Sequence, residues 1–234
     1  MKTEEFSFAR TGAAWLVHLY TATGAVLGFL ALQAAFSGDY ALVFRLLAAA
    51  LAIDASDGVL ARAVEVKRVI PWFDGALLDN LVDYVNYVVV PVAVFMQPGI
   101  LPEGTGFLSL AVLLASAYGF SRTDAKGFVE HYFLGFPSYW NVVAFYFVVL
   151  DSSPAFNLAV VVVCTVLVFV PMRWIYPTRS DVLRKSTISL GLVWALMSLW
   201  MLARLPEPSP LLASVSLLYP VYYTGCSLFY HFRY

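Results

Sequence analysis

The sequence predicts an all-α fold, a polytopic membrane bundle of about eight transmembrane helices with both termini on the cytoplasmic side. Three observations carry this: an apolar composition, regularly spaced apolar stretches, and a one-sided distribution of basic residues. Of the 234 residues, 61% are hydrophobic and 12% charged, and the mean hydropathy is +0.79. Soluble domains carry about 25% charged residues, so lipid must solvate much of this surface. The net charge of -1 offers no electrostatic case for nucleic acid.

Apolar stretches long enough for a bilayer core of about 30 Å fall near 13–36, 40–61, 75–96, 106–122, 138–151, 155–171, 186–203 and 210–230. The fifth and sixth are short and separated by Asp151-Ser-Ser-Pro154, which suits either a tight hairpin or shallow spans. None shows the period-two alternation of a membrane barrel. The first is too long for the apolar core of a cleavable signal, so it is read as a helix that stays. Nothing resembles a linker or a repeat, and residues 1–234 are expected to form one integral membrane domain.

Charge sidedness supports the same count. With the N-terminus in the cytoplasm, Lys2, Arg10, Arg62, Lys67, Arg68, Arg122, Lys126, Arg173, Arg179, Arg184, Lys185 and Arg233 fall on one side, 12 of the 14 basic residues. This is the positive-inside pattern. Arg204 lies in an opposite loop, and Arg45 can snorkel from within a span. Six spans, with 138–171 as a re-entrant hairpin, give the same sidedness.

Four aspartates break the apolar pattern. The second helix ends in Asp54-Ala-Ser-Asp57-Gly58-Val-Leu-Ala61-Arg62, and the third opens Gly75-Ala-Leu-Leu-Asp79-Asn-Leu-Val-Asp83. Spacings of three and four put each set on a single helix face. An ionised carboxylate inside a membrane helix costs about 3 kcal/mol on the lenient scale. Four would cost roughly 10 kcal/mol, comparable to the stability of a whole domain. Arg62 offsets one charge, so hard divalent cations with oxygen ligands are the natural partners. The plainer alternative, solvated charge at a helix end, does not explain two single-faced stripes with small residues between the carboxylates. Gly58, Ala61 and Gly75 leave room for a phosphate or nucleotide to approach closely.

The pattern Asp-x-x-Asp-Gly-x-x-Ala-Arg, a spacer, then Gly-x-x-x-Asp-x-x-x-Asp resembles the signature of the CDP-alcohol phosphotransferases, integral membrane enzymes with a six-helix core. The spacer, Ala63 to Asp74, has 12 residues, longer than in most members, and is similar to that of the bacterial phosphatidylcholine synthase branch. The stretches Ala14-Trp-Leu-Val-His-Leu-Tyr-Thr-Ala-Thr-Gly24 and His131-Tyr-Phe-Leu-Gly-Phe-Pro-Ser-Tyr-Trp-Asn141 resemble that branch too. The resemblance implies CDP-diacylglycerol and choline as substrates, phosphatidylcholine and CMP as products, and a pair of Mg²⁺ or Mn²⁺ ions. It implies Asp54, Asp57 and Asp79 as metal ligands, Asp83 as general base with metal ligation left open, and Gly58, Ala61, Arg62 and Gly75 as the CDP site. It also implies a homodimer and a bacterial inner membrane location with the site facing the cytoplasm.

Choline adds a quaternary ammonium, which an aromatic cage recognises. Tyr139 and Trp140 are the first candidates, joined by Tyr132, Trp15 or Tyr20, with Glu130 or Asp124 as counter-charge and Asn141 as a polar ligand or an interhelical bond. Aromatics make up 16% of the chain, so interfacial anchoring explains such residues equally well. His18 and His131 have no partner at metal-ligand spacing and read as structural. Asp74 reads as a helix cap. Cys164 and Cys226 lie in apolar runs and read as packing residues. Two other functions compete: the same chemistry on serine, inositol or glycerol phosphate, and cation transport through the aspartates. Anionic acceptors call for basic residues that 128–145 lacks, and transporters show repeats and broken helices that are not visible here.

Overall fold

A computed structural model describes residues 6–122, 132–176 and 183–233. It is helical throughout apart from one short strand pair, and each of the eight apolar stretches forms a helical segment. Phe8–Phe36, Gly75–Phe95, Arg184–Arg204 and Pro210–Arg233 are long and apolar enough to cross a membrane. Tyr40–Ala63 has the length, 24 residues, and carries the charges. Gly106–Ser121, Trp140–Val149 and Pro154–Phe169 are shorter. The chain is a polytopic helical membrane protein. At 10 residues, the Trp140–Val149 helix reaches about 15 Å, half a bilayer core, which follows from the short fifth stretch.

The chain divides into two compact units, Met1–Val90 and Pro91–Tyr234. In the first, α1 (Phe8–Phe36) pairs with α2 (Tyr40–Ala63), and a helical turn α3 (Val66–Val69) leads to α4 (Gly75–Tyr84). Side chains accept backbone N–H groups that the helix starts leave unpaired: Ser7 from Arg10, Asp39 from Leu42, and Asp74 from Ala76 and Leu77. The buried face of α1 runs Ala14, Val17, His18, Thr21, Gly24, Gly28, Ala31 and Ala35, the three-to-four spacing of one stripe. Small residues there let helices close up as membrane helices do. A methyl group at Gly24 would stand 2.6 Å from Val82 Cγ1, and one at Gly28 would stand 2.8 Å from Asn86 Oδ1.

The long spacer has a small core of its own. Val66, Val69 and Ile70 pack with Ala14 and Val17 of α1, joined by Phe6, Ala61, Val64 and Phe73, while Arg10 pairs with Glu65. Beyond α4 the helix widens into one turn of π-helix, Val85–Val89. Pro91 lacks an N–H for the preceding turn, and the Val90 N–H reaches back to the Val85 carbonyl. Such widened turns are frequent at functional sites.

In the second unit α5 (Val90–Phe95) continues from that turn, and α6 (Leu110–Ser121) follows a 3₁₀ turn at Gly106–Ser109. Then come β1 (Tyr132–Leu134), α7 (Trp140–Val149), α8 (Pro154–Phe169), β2 (Arg173–Ile175), α9 (Arg184–Arg204), α10 (Pro210–Ser216) and α11 (Leu218–Arg233). The strands, which an all-helix reading did not anticipate, pair antiparallel with Phe133 opposite Trp174. They satisfy backbone groups of segments between helix ends, where apolar surroundings leave few other partners. Met172, Trp174, Ile175 and Tyr223 form the core beside them, with Phe133, Phe136, Cys226 and Tyr230 against it.

Candidate active site: an acidic corner in the first unit

Two helices bring the aspartates together. Asp54, Asp57 and Asp79 each present a carboxylate oxygen, and the three oxygens lie within 4.8 Å of one another. Asp57 is buried and the other two are half-buried. Oxygens about 2.1 Å from one Mg²⁺ or Mn²⁺ stand at most about 4.2 Å apart, so small inward movements would let all three bind one ion. The donor set, all carboxylate, suits a hard divalent cation. Asp83, one turn beyond Asp79, lines the same small cavity of about 10 Å³ with Thr21, Asp54, Asp57, Asn86 and Tyr87. That volume holds roughly one water-sized particle.

Two hydroxyls orient the carboxylates. Thr21 of α1 donates to Asp57 Oδ2 at 2.7 Å, and Tyr87 of the π turn donates to Asp54 Oδ2 at 3.0 Å. Each fixes one carboxylate oxygen, as hydrogen-bonding partners around metal sites do. Asn86 ties the turn down, donating to the Gly24 and Val82 carbonyls at 3.1 and 3.0 Å. Sequence reasoning missed all three residues. The signals were there: Thr21 interrupts an apolar run, and Tyr87 lies four residues beyond Asp83. The π turn, however, shifts the phase of that stripe, which simple spacing does not foresee.

The small motif residues have mixed duties. Gly58 lies under the Arg62 side chain, whose Nη1 would be 3.4 Å from an added methyl. Ala61 packs into the spacer core, and Arg62 is exposed at the end of α2. Gly75 adjoins His18: a methyl there would stand 2.6 Å from the imidazole Cε1. Tyr20 bonds Ser56, between the two aspartates of α2, at 2.9 Å. Trp15 packs with Trp72 and Phe73 at ring-centre distances of 5.5 and 5.2 Å.

The remaining aromatic candidates for choline, Tyr132, Tyr139 and Trp140, belong to the second unit. Trp140 is fully buried, and its indole N–H donates to Ser116 Oγ at 2.9 Å. Tyr139 is 36% exposed, its ring edge against Tyr223 at 6.1 Å. Asn141 Oδ1 accepts from the Val142 N–H at 2.9 Å, the local bond expected of Asn in a first helical turn. Tyr132 lies in β1, under the Arg173 guanidinium. Asp124, Glu130 and His131 lie outside the described residues.

Fold and site together define a polytopic helical membrane protein with an acidic corner suited to divalent metal. No protein-family model matches the chain. Curated proteins do match, among them several phosphatidylcholine synthases. A phosphatidylcholine synthase of Legionella pneumophila is 38% identical over 97% of this chain and 90% of its own. One from Pseudomonas aeruginosa is 38% identical over 92% and 90%, and one from Borreliella burgdorferi 39% over 79% of each. The chain belongs to the phosphatidylcholine synthase family.

Proposed function

We propose that the chain transfers the phosphatidyl group of CDP-diacylglycerol to choline, releasing CMP. The observation that carries this reading is the convergence of Asp54, Asp57 and Asp79 oxygens from two helices to within 4.8 Å, in a chain whose relatives are phosphatidylcholine synthases. Asp54, Asp57 and Asp79 would hold Mg²⁺ or Mn²⁺, with Asp83 able to join them. Such ions, held there, would supply positive charge against the pyrophosphate and against the attacking and leaving oxygens. Asp83 takes the proton of the choline hydroxyl as that oxygen bonds to the phosphatidyl phosphorus. The bond from that phosphorus to the CMP oxygen breaks, and CMP leaves with the electron pair. Thr21 and Tyr87 keep Asp57 and Asp54 aimed. Gly58, Ala61, Arg62 and Gly75 shape the nucleotide pocket, Arg62 adding positive charge at its edge.

For choline, Tyr139 offers a partly exposed ring face, with Glu130 as counter-charge and Asn141 as a neighbouring polar group; Trp140 would act by holding the Tyr139 segment in place. The whole chain works as one integral membrane domain in the bacterial inner membrane, as a homodimer among its lipid substrates, with the acidic corner toward the cytoplasm. Liposome assays with labelled choline, serine, inositol and glycerol phosphate in parallel, with and without Mn²⁺, test the reaction. Metal-dependent phosphatidylcholine should form, and comparable product from another alcohol would refute the acceptor. Cysteines placed singly at Lys67 and Glu103, both exposed, test the orientation. An impermeant thiol reagent should reach the second in spheroplasts and the first only after lysis; the reverse order would overturn it.

A further inference from the structure

Four buried side-chain atoms find no hydrogen-bond partner among the described residues, and the imidazole Nε2 of His18 is one of them. His18 is 6% exposed. A buried, unsatisfied polar group is destabilising, and each such atom in a native site asks for a reason. Packing alone is a poor one, since Phe or Leu would fill the space without that cost.

The surroundings hold the ring still. Phe73 lies against it at 4.4 Å between ring centres and Trp15 edge-on at 5.8 Å. Gly75 admits it: with any side chain at 75, the first added carbon would collide with the imidazole at 2.6 Å. The ring also lies in register with the acidic corner on two elements at once. Thr21, the Asp57 partner, is three residues along α1, and Asp79 is four residues along α4 from Gly75. His18 therefore sits about one helical turn, roughly 5 Å of rise, from the carboxylates.

We infer that His18 is a nucleoside-binding residue, its Nε2 completed by a hydrogen bond to the cytidine of CDP-diacylglycerol or CMP. The inference rests on the transferase reading above and extends it. The trimethylammonium group of choline has no hydrogen-bonding atom and cannot satisfy an imidazole nitrogen. The choline hydroxyl is taken up at the reacting phosphorus, and the phosphates belong with the metal. The nucleoside brings donors and acceptors on both ribose and base, and Gly75, on which His18 packs, is part of the proposed nucleotide pocket. The histidine ring occupies space that the motif glycine leaves open.

The test uses the purified full chain in detergent with Mn²⁺, titrated calorimetrically with CMP, UMP and 2′-deoxy-CMP. His18→Phe keeps a ring of similar size and removes the nitrogen; His18→Gln restores a polar group at about the same reach. The Phe variant should bind CMP about tenfold more weakly, the cost of one lost hydrogen bond in a buried site. Its Mn²⁺ affinity and choline KM should stay at wild-type values, and the Gln variant should recover most of the loss. If the wild-type preference for CMP over UMP shrinks in the Phe variant, the contact is to the base. If the preference over 2′-deoxy-CMP shrinks, the contact is to the ribose; either result supports the assignment. Wild-type CMP affinity in the Phe variant overturns it. So does a joint loss of CMP and Mn²⁺ affinity, which marks a support of the fold. A wild-type protein that binds no CMP in Mn²⁺ would instead sink the transferase reading, and this inference with it.

Discussion

The acidic corner of the first unit and the aromatic layer of the second are built on opposite terms. In the corner, charge that membrane burial should penalise is gathered from two helices, braced by Thr21 and Tyr87, and opens onto a cavity. In the aromatic layer, Phe136, Trp140, Trp174 and Tyr223 pack on one another at ring-centre distances of 4.9–6.0 Å, and burial of large rings is favourable in itself. Polar residues in the corner need a function to explain them; aromatic residues in the layer do not. Substitutions should therefore act differently in the two places, on turnover in the first and mainly on stability in the second.

The largest effect belongs to the proposed metal ligands. Asp54→Asn, Asp57→Asn or Asp79→Asn should abolish phosphatidylcholine formation and weaken metal-dependent CMP binding while the protein still purifies as a folded species. Asp83→Asn should lower kcat by about 10²–10⁴, the range of a lost general base, with CMP affinity retained. Equal loss of CMP binding in all four variants would erase the distinction between ligand and base.

Tyr87→Phe probes the bracing rather than the ligands. Losing the bond to Asp54 should reduce Mn²⁺ affinity about 10- to 100-fold, as loss of a partner hydrogen-bonded to a metal ligand typically does. Unchanged Mn²⁺ affinity would show that the π turn does not support the site. The smallest effect is the most diagnostic for the layer. Tyr139→Ala should raise the choline KM about tenfold, since a cation–π contact to a desolvated cation is worth about 2 kcal/mol. Trp140→Ala should instead cost about 3–5 kcal/mol of stability, as removing a buried Trp does. If both alanine variants keep a normal choline KM, the choline-binding rings lie elsewhere, with Trp15 and Tyr20 next to be tested.

The same contrast explains what was legible in the sequence. Helix positions followed from apolar run length, and Asp74 was recognisable as a cap because its side chain had to find the first N–H groups of α4. The aspartate stripes were legible because charge inside an apolar run is costly and periodicity fixes its face. Hidden were features that depend on contacts between elements. The spacer stands out in sequence only by its length, yet Val66, Val69 and Ile70 bury themselves against α1. The π turn arises from Pro91 acting on a continuous helix. Gly75 reads as space for a ligand, and the side chain lying in that space is His18, 57 residues away in sequence. Trp140 and Tyr139 look alike as neighbours in sequence, and only packing separates a closed indole from a partly open phenol ring.

Under the proposed function, the carboxylates of α2 and α4 hold divalent metal. Electron paramagnetic resonance of Mn²⁺ titrated into the purified protein tests it without any turnover, because bound and free Mn²⁺ are read separately. Wild type should show saturable binding strengthened by CMP, and Asp57→Asn combined with Asp79→Asn should abolish it. Mn²⁺ that binds the double variant as tightly as wild type would contradict the account.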